Sequence, residues 1–139
     1  KLQSNKAKKA VEIFDYIHSL DNQKLADVLS KTQNLLNKSI NYFIQVNIGN
    51  EQQKSGVPFG EVDAFYNYCA NEINLNIIGL MVIPPIDANA GKYFKSLNEL
   101  NKSLALENMS MGMSADFAEA IEHGSTFIRV GSSIFGSRS

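Results

Sequence analysis

One cysteine, two histidines and no apolar run long enough to cross a bilayer narrow what this 139-residue chain can be. Cys69 has no partner for an internal disulfide and falls in an amphipathic helical pattern. It reads as a buried structural thiol in a reducing compartment. His18 and His123 have no second histidine or cysteine at ligand spacing, and His123 falls in a last helical turn, where a cation is favoured anyway. No metal site is expected. Excess charge of either sign is missing as well. Thirteen basic against fourteen acidic side chains leave a formal net charge of −1, too weak a field to gather nucleic acid or an anionic membrane. A membrane helix needs ~18 consecutive apolar residues, and no such run occurs. The opening stretch Lys1–Lys6 lacks the apolar core of a signal peptide. There is no Walker motif, no GxGxxG and no GxSxG elbow. What remains is an ordinary globular composition, 44% hydrophobic and 19% charged, expected in the cytoplasm without nucleic-acid or membrane partners. The first residue is not methionine and the start reads as a loop, so the chain is expected to be part of a longer polypeptide.

Against these absences stands a regular alternation of strand and helix patterns. Phe14–Ser19 reads as a short strand, and Asp21 as the N-cap of a helix from Asn22 to about Asn37, with Leu25, Val28, Leu29, Leu35 and Leu36 on its apolar stripe. Tyr42–Ile48 is a second strand, and a helix from about Phe59 to Ile73 follows a polar loop and Pro58. Ile77–Ile83 is a nearly continuous apolar run stopped by Pro84-Pro85, which suits a strand covered on both faces. Ala90–Leu104 is the next helix. The pattern amounts to five βα units, the last with a stub of helix, in one domain covering residues 1–139. Single helices between strands imply a parallel sheet, either open and doubly wound or part of a (β/α)8 barrel. A barrel usually takes ~250 residues, so five units would leave three of the eight missing.

The last thirty residues carry the chemistry. Met109–Phe117 and Phe127–Gly136 each read as an apolar strand running into a Gly/Ser turn, and the first turn opens a helix from Ala115 to His123 closed by Gly124. A helix N-terminus offers unpaired N–H groups and the positive end of the macrodipole, a ready phosphate cradle. In (β/α)8 barrels the loops after the last two strands build such a site. Ser114 is either a plain N-cap or a phosphate ligand. Gly112 and Gly131 either permit tight turns or let a ligand approach the main chain. Alternation places Phe127, Arg129 and Gly131 on one strand face. A guanidinium there needs an acceptor, which is either a carboxylate such as Asp15 or Glu107 or a bound ligand. Met81, Met111 and Met113 read as core fillers, and Lys54 as a solvated loop lysine.

Several segments, in order, resemble one family. They are Leu2-Gln3-Ser4-Asn5-Lys6, Ile17-His18-Ser19-Leu20-Asp21, Phe43–Gly49, Gln53-Lys54-Ser55-Gly56, Gly79-Leu80-Met81 with Ile83-Pro84-Pro85, and the two C-terminal segments. Together they are similar to the YggS/PROSC family of pyridoxal phosphate homeostasis proteins. The resemblance implies a fold-type III (β/α)8 barrel, like the N-terminal domain of alanine racemase without a second domain. It implies pyridoxal 5′-phosphate (PLP) as ligand and an intracellular carrier or buffer of vitamin B6, without established catalysis. It also implies PLP-dependent apo-enzymes as partners and a monomeric full-length protein. Ser114 and the backbone at Met113 and Gly112 map onto the phosphate contacts, Gly131 and Ser132 onto a second phosphate loop, and Arg129 onto the arginine facing the pyridine nitrogen. The family's Schiff-base lysine lies upstream of the motif that begins here at Leu2, and no lysine of this chain matches it. The chain therefore reads as the C-terminal part of the barrel, with apolar strand edges exposed. The competing readings are a racemase or decarboxylase of the same fold type, or a remnant holding only a phosphate half-site.

Overall fold

Strands alternate with helices along most of this protein, and the computed structural model shows the parallel sheet that this rhythm requires. It describes residues 2–49, 55–84, 89–113 and 117–129, with the backbone alone at Met113, Phe117 and Arg129. The strands are β1 (Tyr16–Leu20), β2 (Asn41–Asn47), β3 (Val57–Pro58), β4 (Asn76–Val82), β5 (Asn108–Met113) and β6 (Phe127–Arg129). The helices are α1 (Ala7–Ile13), α2 (Gln23–Leu35), α3 (Val62–Asn67), α4 (Ala90–Ser103) and α5 (Phe117–Glu122). The sheet runs β1-β2-β4-β5-β6 with every pair parallel, and two-residue β3 pairs with the end of β2 at Val46 and Asn47. This is an incomplete (β/α)8 barrel of five βα units. An open doubly wound sheet does not describe it, because aromatic side chains from the two outermost strands, Tyr16 and Phe127, meet across the concave face with ring centroids 5.4 Å apart.

The convex face carries the main core. Tyr42, Ile44 and Val46 of β2, Leu80 and Val82 of β4, and Met109 and Met111 of β5 pack with Leu25 and Leu29 of α2 and Phe94 and Leu97 of α4. Strand alternation sends these residues to one side, and spacings of three and four along each helix bring its apolar positions to meet them. Asn101 ties α4 to the sheet, its Nδ2 donating to the carbonyls of Leu106 and Asn108, both at 3.0 Å. Among the described residues no helix is long and apolar enough to cross a membrane.

Several expected boundaries move. The cap of α2 is Asn22, whose Oδ1 accepts from the Leu25 N–H at 2.8 Å, rather than Asp21. That helix stops at Leu35, and Asn37 turns left-handed at φ 50°. Leu35, still helical, points away from the buried face, and it and Leu36 stand 86% and 38% exposed. The expected helix 59–73 has three windings: a 3₁₀ turn (Phe59–Glu61), α3, and a π-helical turn (Tyr68–Glu72) held where Tyr68 donates to Asp27. The start is not all loop. Ala7, Ala10 and Val11, at helical spacing, bury one side of α1. Among the described residues the outer edge of β1 pairs with no strand. Beside it Leu2, Ala10, Phe14 and Tyr16 line an apolar groove.

Cys69 is fully buried, and burial pushes its thiol up to about 12. The Tyr42 hydroxyl, donating to Gln33 at 2.9 Å, is raised by the same cause. Both acids keep their protons in the fold at a pH where the unfolded chain would release them, so stability is intact below about pH 9 and falls as pH rises beyond it. Thermal melts from pH 8 upward should show this loss. Cys69→Ala should flatten it by roughly 1 kcal/mol per pH unit above 9. In the folded chain Cys69 should resist thiol reagents at pH 8.

Candidate functional site

The concave face holds a second, smaller layer of side chains. His18 of β1 stacks on Phe43 of β2, with ring centroids 4.4 Å apart and planes 23° from parallel. Phe127 of β6 stands edge-on to both, at 5.5 Å from His18 and 5.0 Å from Phe43. His18 Nδ1 and the buried Ser110 Oγ of β5 share a hydrogen bond of 2.7 Å, donor and acceptor depending on the imidazole tautomer. Gly79 of β4 completes the layer by having no side chain, since a Cβ there would come within 2.9 Å of the Phe43 ring.

One pleat further toward the strand C-termini, alternation brings Gln45 and Met81 to the same face, while Gly112 lies where the β5–β6 ladder shifts register between Ser110 and Met113. Gln45 and Met81 are buried, and Gly112 is buried with φ 99°, a left-handed backbone that a side chain would oppose. A bare main chain at this point is open to close approach by a ligand. On the β1–β2 side the rim is tied down by Asp21, whose Oδ2 accepts from the Gly56 N–H at 3.1 Å. Gly56, at φ 121°, lies so close to Asn47 that a Cβ would sit 2.6 Å from its backbone nitrogen.

The residues singled out in the sequence fall unevenly on this frame. Gly112 sits near the end of β5. Met113 of that strand pairs with Arg129 of β6. Ser114, Gly131 and Ser132 lie outside the described residues, as do Lys54 and Pro85. Met81 and Met111 are both buried, Met111 against the helices. Asp15, one candidate partner of Arg129, is 79% exposed and lies 3.9 Å from Lys38. His18 is not the isolated histidine that its sequence neighbourhood suggests. Its partner Ser110 lies 92 residues away, and the available signal was the shared inward register of Tyr16, His18, Phe43, Ser110 and Phe127.

Residues 2–139 match the family described as "Alanine racemase, N-terminal domain". Among curated relatives, the pyridoxal phosphate homeostasis protein of Aquifex aeolicus is 39% identical, over 99% of this chain and 64% of its own length. That of Synechocystis is also 39% identical, over 99% of this chain and 67% of its own. The solved structure of PipY from Synechococcus elongatus, with PLP bound, superposes with a TM-score of 0.89 at 35% identity, covering 98% of this chain and 68% of that one. The chain belongs to the pyridoxal phosphate homeostasis (YggS/PROSC) family, and it spans just under two thirds of the length of the Aquifex relative.

Proposed function

We propose that this chain supplies the phosphate- and ring-binding part of a PLP carrier that buffers intracellular vitamin B6, residues 1–139 forming the C-terminal portion of one barrel domain. The observation that carries this reading is the register of β5 and β6, with Met113 opposite Arg129. Met113 directly follows the bare, left-handed backbone of Gly112. Ser114 with the backbone at Gly112 and Met113, and Gly131 with Ser132, would hold the phosphate. Arg129 would hold the ring nitrogen. A guanidinium keeps its proton at any relevant pH, so Arg129 donates to that nitrogen and leaves it unprotonated. PLP supplies an electron sink when bound, and this arrangement weakens it, which suits a carrier better than a transaminase. Cytoplasmic location, a monomeric full-length protein and PLP-dependent apo-enzymes as recipients belong to the same proposal.

The test is a titration of the polypeptide, as its gene encodes it, with PLP followed by absorbance. The native protein should bind and shift the cofactor band. Arg129→Met should retain the fold and displace that band again, with affinity lower by about tenfold, as expected for a lost charged hydrogen bond. An unchanged spectrum in Arg129→Met would sink the ring-nitrogen assignment, and no binding by the native protein would sink the carrier.

A further inference from the structure

We infer that His18 is a positioning residue of this site, acting through Ser110 and Phe127 as a strut across the barrel interior; the inference rests on the PLP reading above. β1 and β5 are not neighbours in the sheet, because β2 and β4 lie between them. The 2.7 Å bond from His18 Nδ1 to Ser110 Oγ therefore spans the concavity instead of following the ladder. A ladder hydrogen bond fixes the spacing of adjacent strands. A bond across the concave face fixes how tightly the sheet curls, and so where the rim of one side stands relative to the other.

The strut ends at informative places. Ser110 is two residues before Gly112 on β5, and Phe127, which meets the imidazole edge-on, is two residues before Arg129 on β6. Each contact is thus one pleat below a proposed ligand-binding position. The stacking of His18 on Phe43 holds the imidazole plane, so that Nδ1 is aimed at Ser110 rather than rotating about χ2. A ring without the nitrogen could fill this space, but it would leave the Ser110 hydroxyl without this partner and relax the curl.

Fill and hydrogen bond can be separated by substitution. His18→Phe keeps the ring volume and loses the bond. Ser110→Ala loses the same bond from the other end by deleting one hydroxyl. His18→Asn keeps a polar atom near the Nδ1 position and loses the stacking. In the full polypeptide, His18→Phe and Ser110→Ala should each weaken PLP binding by roughly five- to tenfold. Both should reduce the circular dichroism of the bound cofactor's visible band, and the double variant should lose no more than either single one. His18→Asn should melt at a lower temperature than His18→Phe yet retain more of the cofactor signal. That inversion of the two orders is what a merely space-filling histidine would not produce. Affinity and dichroism within twofold of native in both His18→Phe and Ser110→Ala would overturn the inference. Should His18→Phe fail to fold, Ser110→Ala decides alone. If the native protein binds no PLP, the cofactor reading falls and takes this one with it, an outcome distinct from native binding with silent variants.

Discussion

Gly79→Ala is expected to lose roughly 3 kcal/mol or more, enough to leave the chain largely unfolded. The added methyl would overlap the Asn108 carbonyl oxygen, approach its carbon to 2.6 Å and meet Cε1 of Phe43 at 2.9 Å. Two of these three atoms belong to the backbone of the adjoining strand, which pairs with β4 at this register position. Backbone cannot rotate out of the way as a side chain can. The methyl must push β5 off β4, or tilt the Phe43 ring out of the interior layer, and each alternative breaks contacts elsewhere. Far-ultraviolet dichroism and a thermal melt measure the outcome. Gly60→Ala is the matched control, since nothing lies within 4 Å of a Cβ there, and it should be neutral or slightly stabilising. Equal melting temperatures for the two variants would mean that the close approach at Gly79 is not a real constraint.

Phe43→Ala should cost about 3–5 kcal/mol, the usual range for emptying a fully buried aromatic site. Phe43 has no exposed surface, and its ring is the common wall for His18 and Phe127. Its removal takes away apolar burial, two ring contacts and the support of the imidazole together. Phe43→Leu should be milder, about 1 kcal/mol, because a branched aliphatic side chain refills most of the volume. Urea unfolding of the two variants gives both numbers. A loss under about 1 kcal/mol for Phe43→Ala would show that the interior layer collapses to fill the gap. His18 could not then be held as a rigid strut.

The alternation of apolar strands with amphipathic helices was enough to read the parallel barrel segment, because each element buries a face whose period appears in the residues themselves. The two Gly/Ser turns expected behind β5 and β6 fall on residues outside the described ones. What escaped depends on the third dimension. Leu35 and Leu36 were read onto the stripe of α2, yet at the helix end just before Asn37 they stand exposed, so apolar character alone placed them in the core. The helix expected over 59–73 runs continuously but changes winding to a π turn where Tyr68 reaches Asp27 and Cys69 sinks into the core, contacts that no local pattern announces. α1 was the opposite case. Ala7, Ala10 and Val11 carry a legible spacing, but its small residues made a faint stripe. His18 looked solitary because its bonding partner arrives on the fifth strand.

The order β1-β2-β4-β5-β6 also dictates how this molecule must assemble in time. No two described strands are joined by a hairpin, and apart from the short β2–β3 pairing each ladder waits for a whole helix to be crossed. Tyr42 meets Ile77 and Leu80 meets Met109 only after some thirty residues have been threaded back. The entropy of closing those loops is lost before any ladder compensates for it. Helices can form locally within microseconds, but they gain a surface to rest on only when the central pair, β2 with β4, has closed. Refolding should thus be limited by that long-range meeting, and its rate should follow substitutions in the middle of the sheet far more closely than those on the helix exteriors.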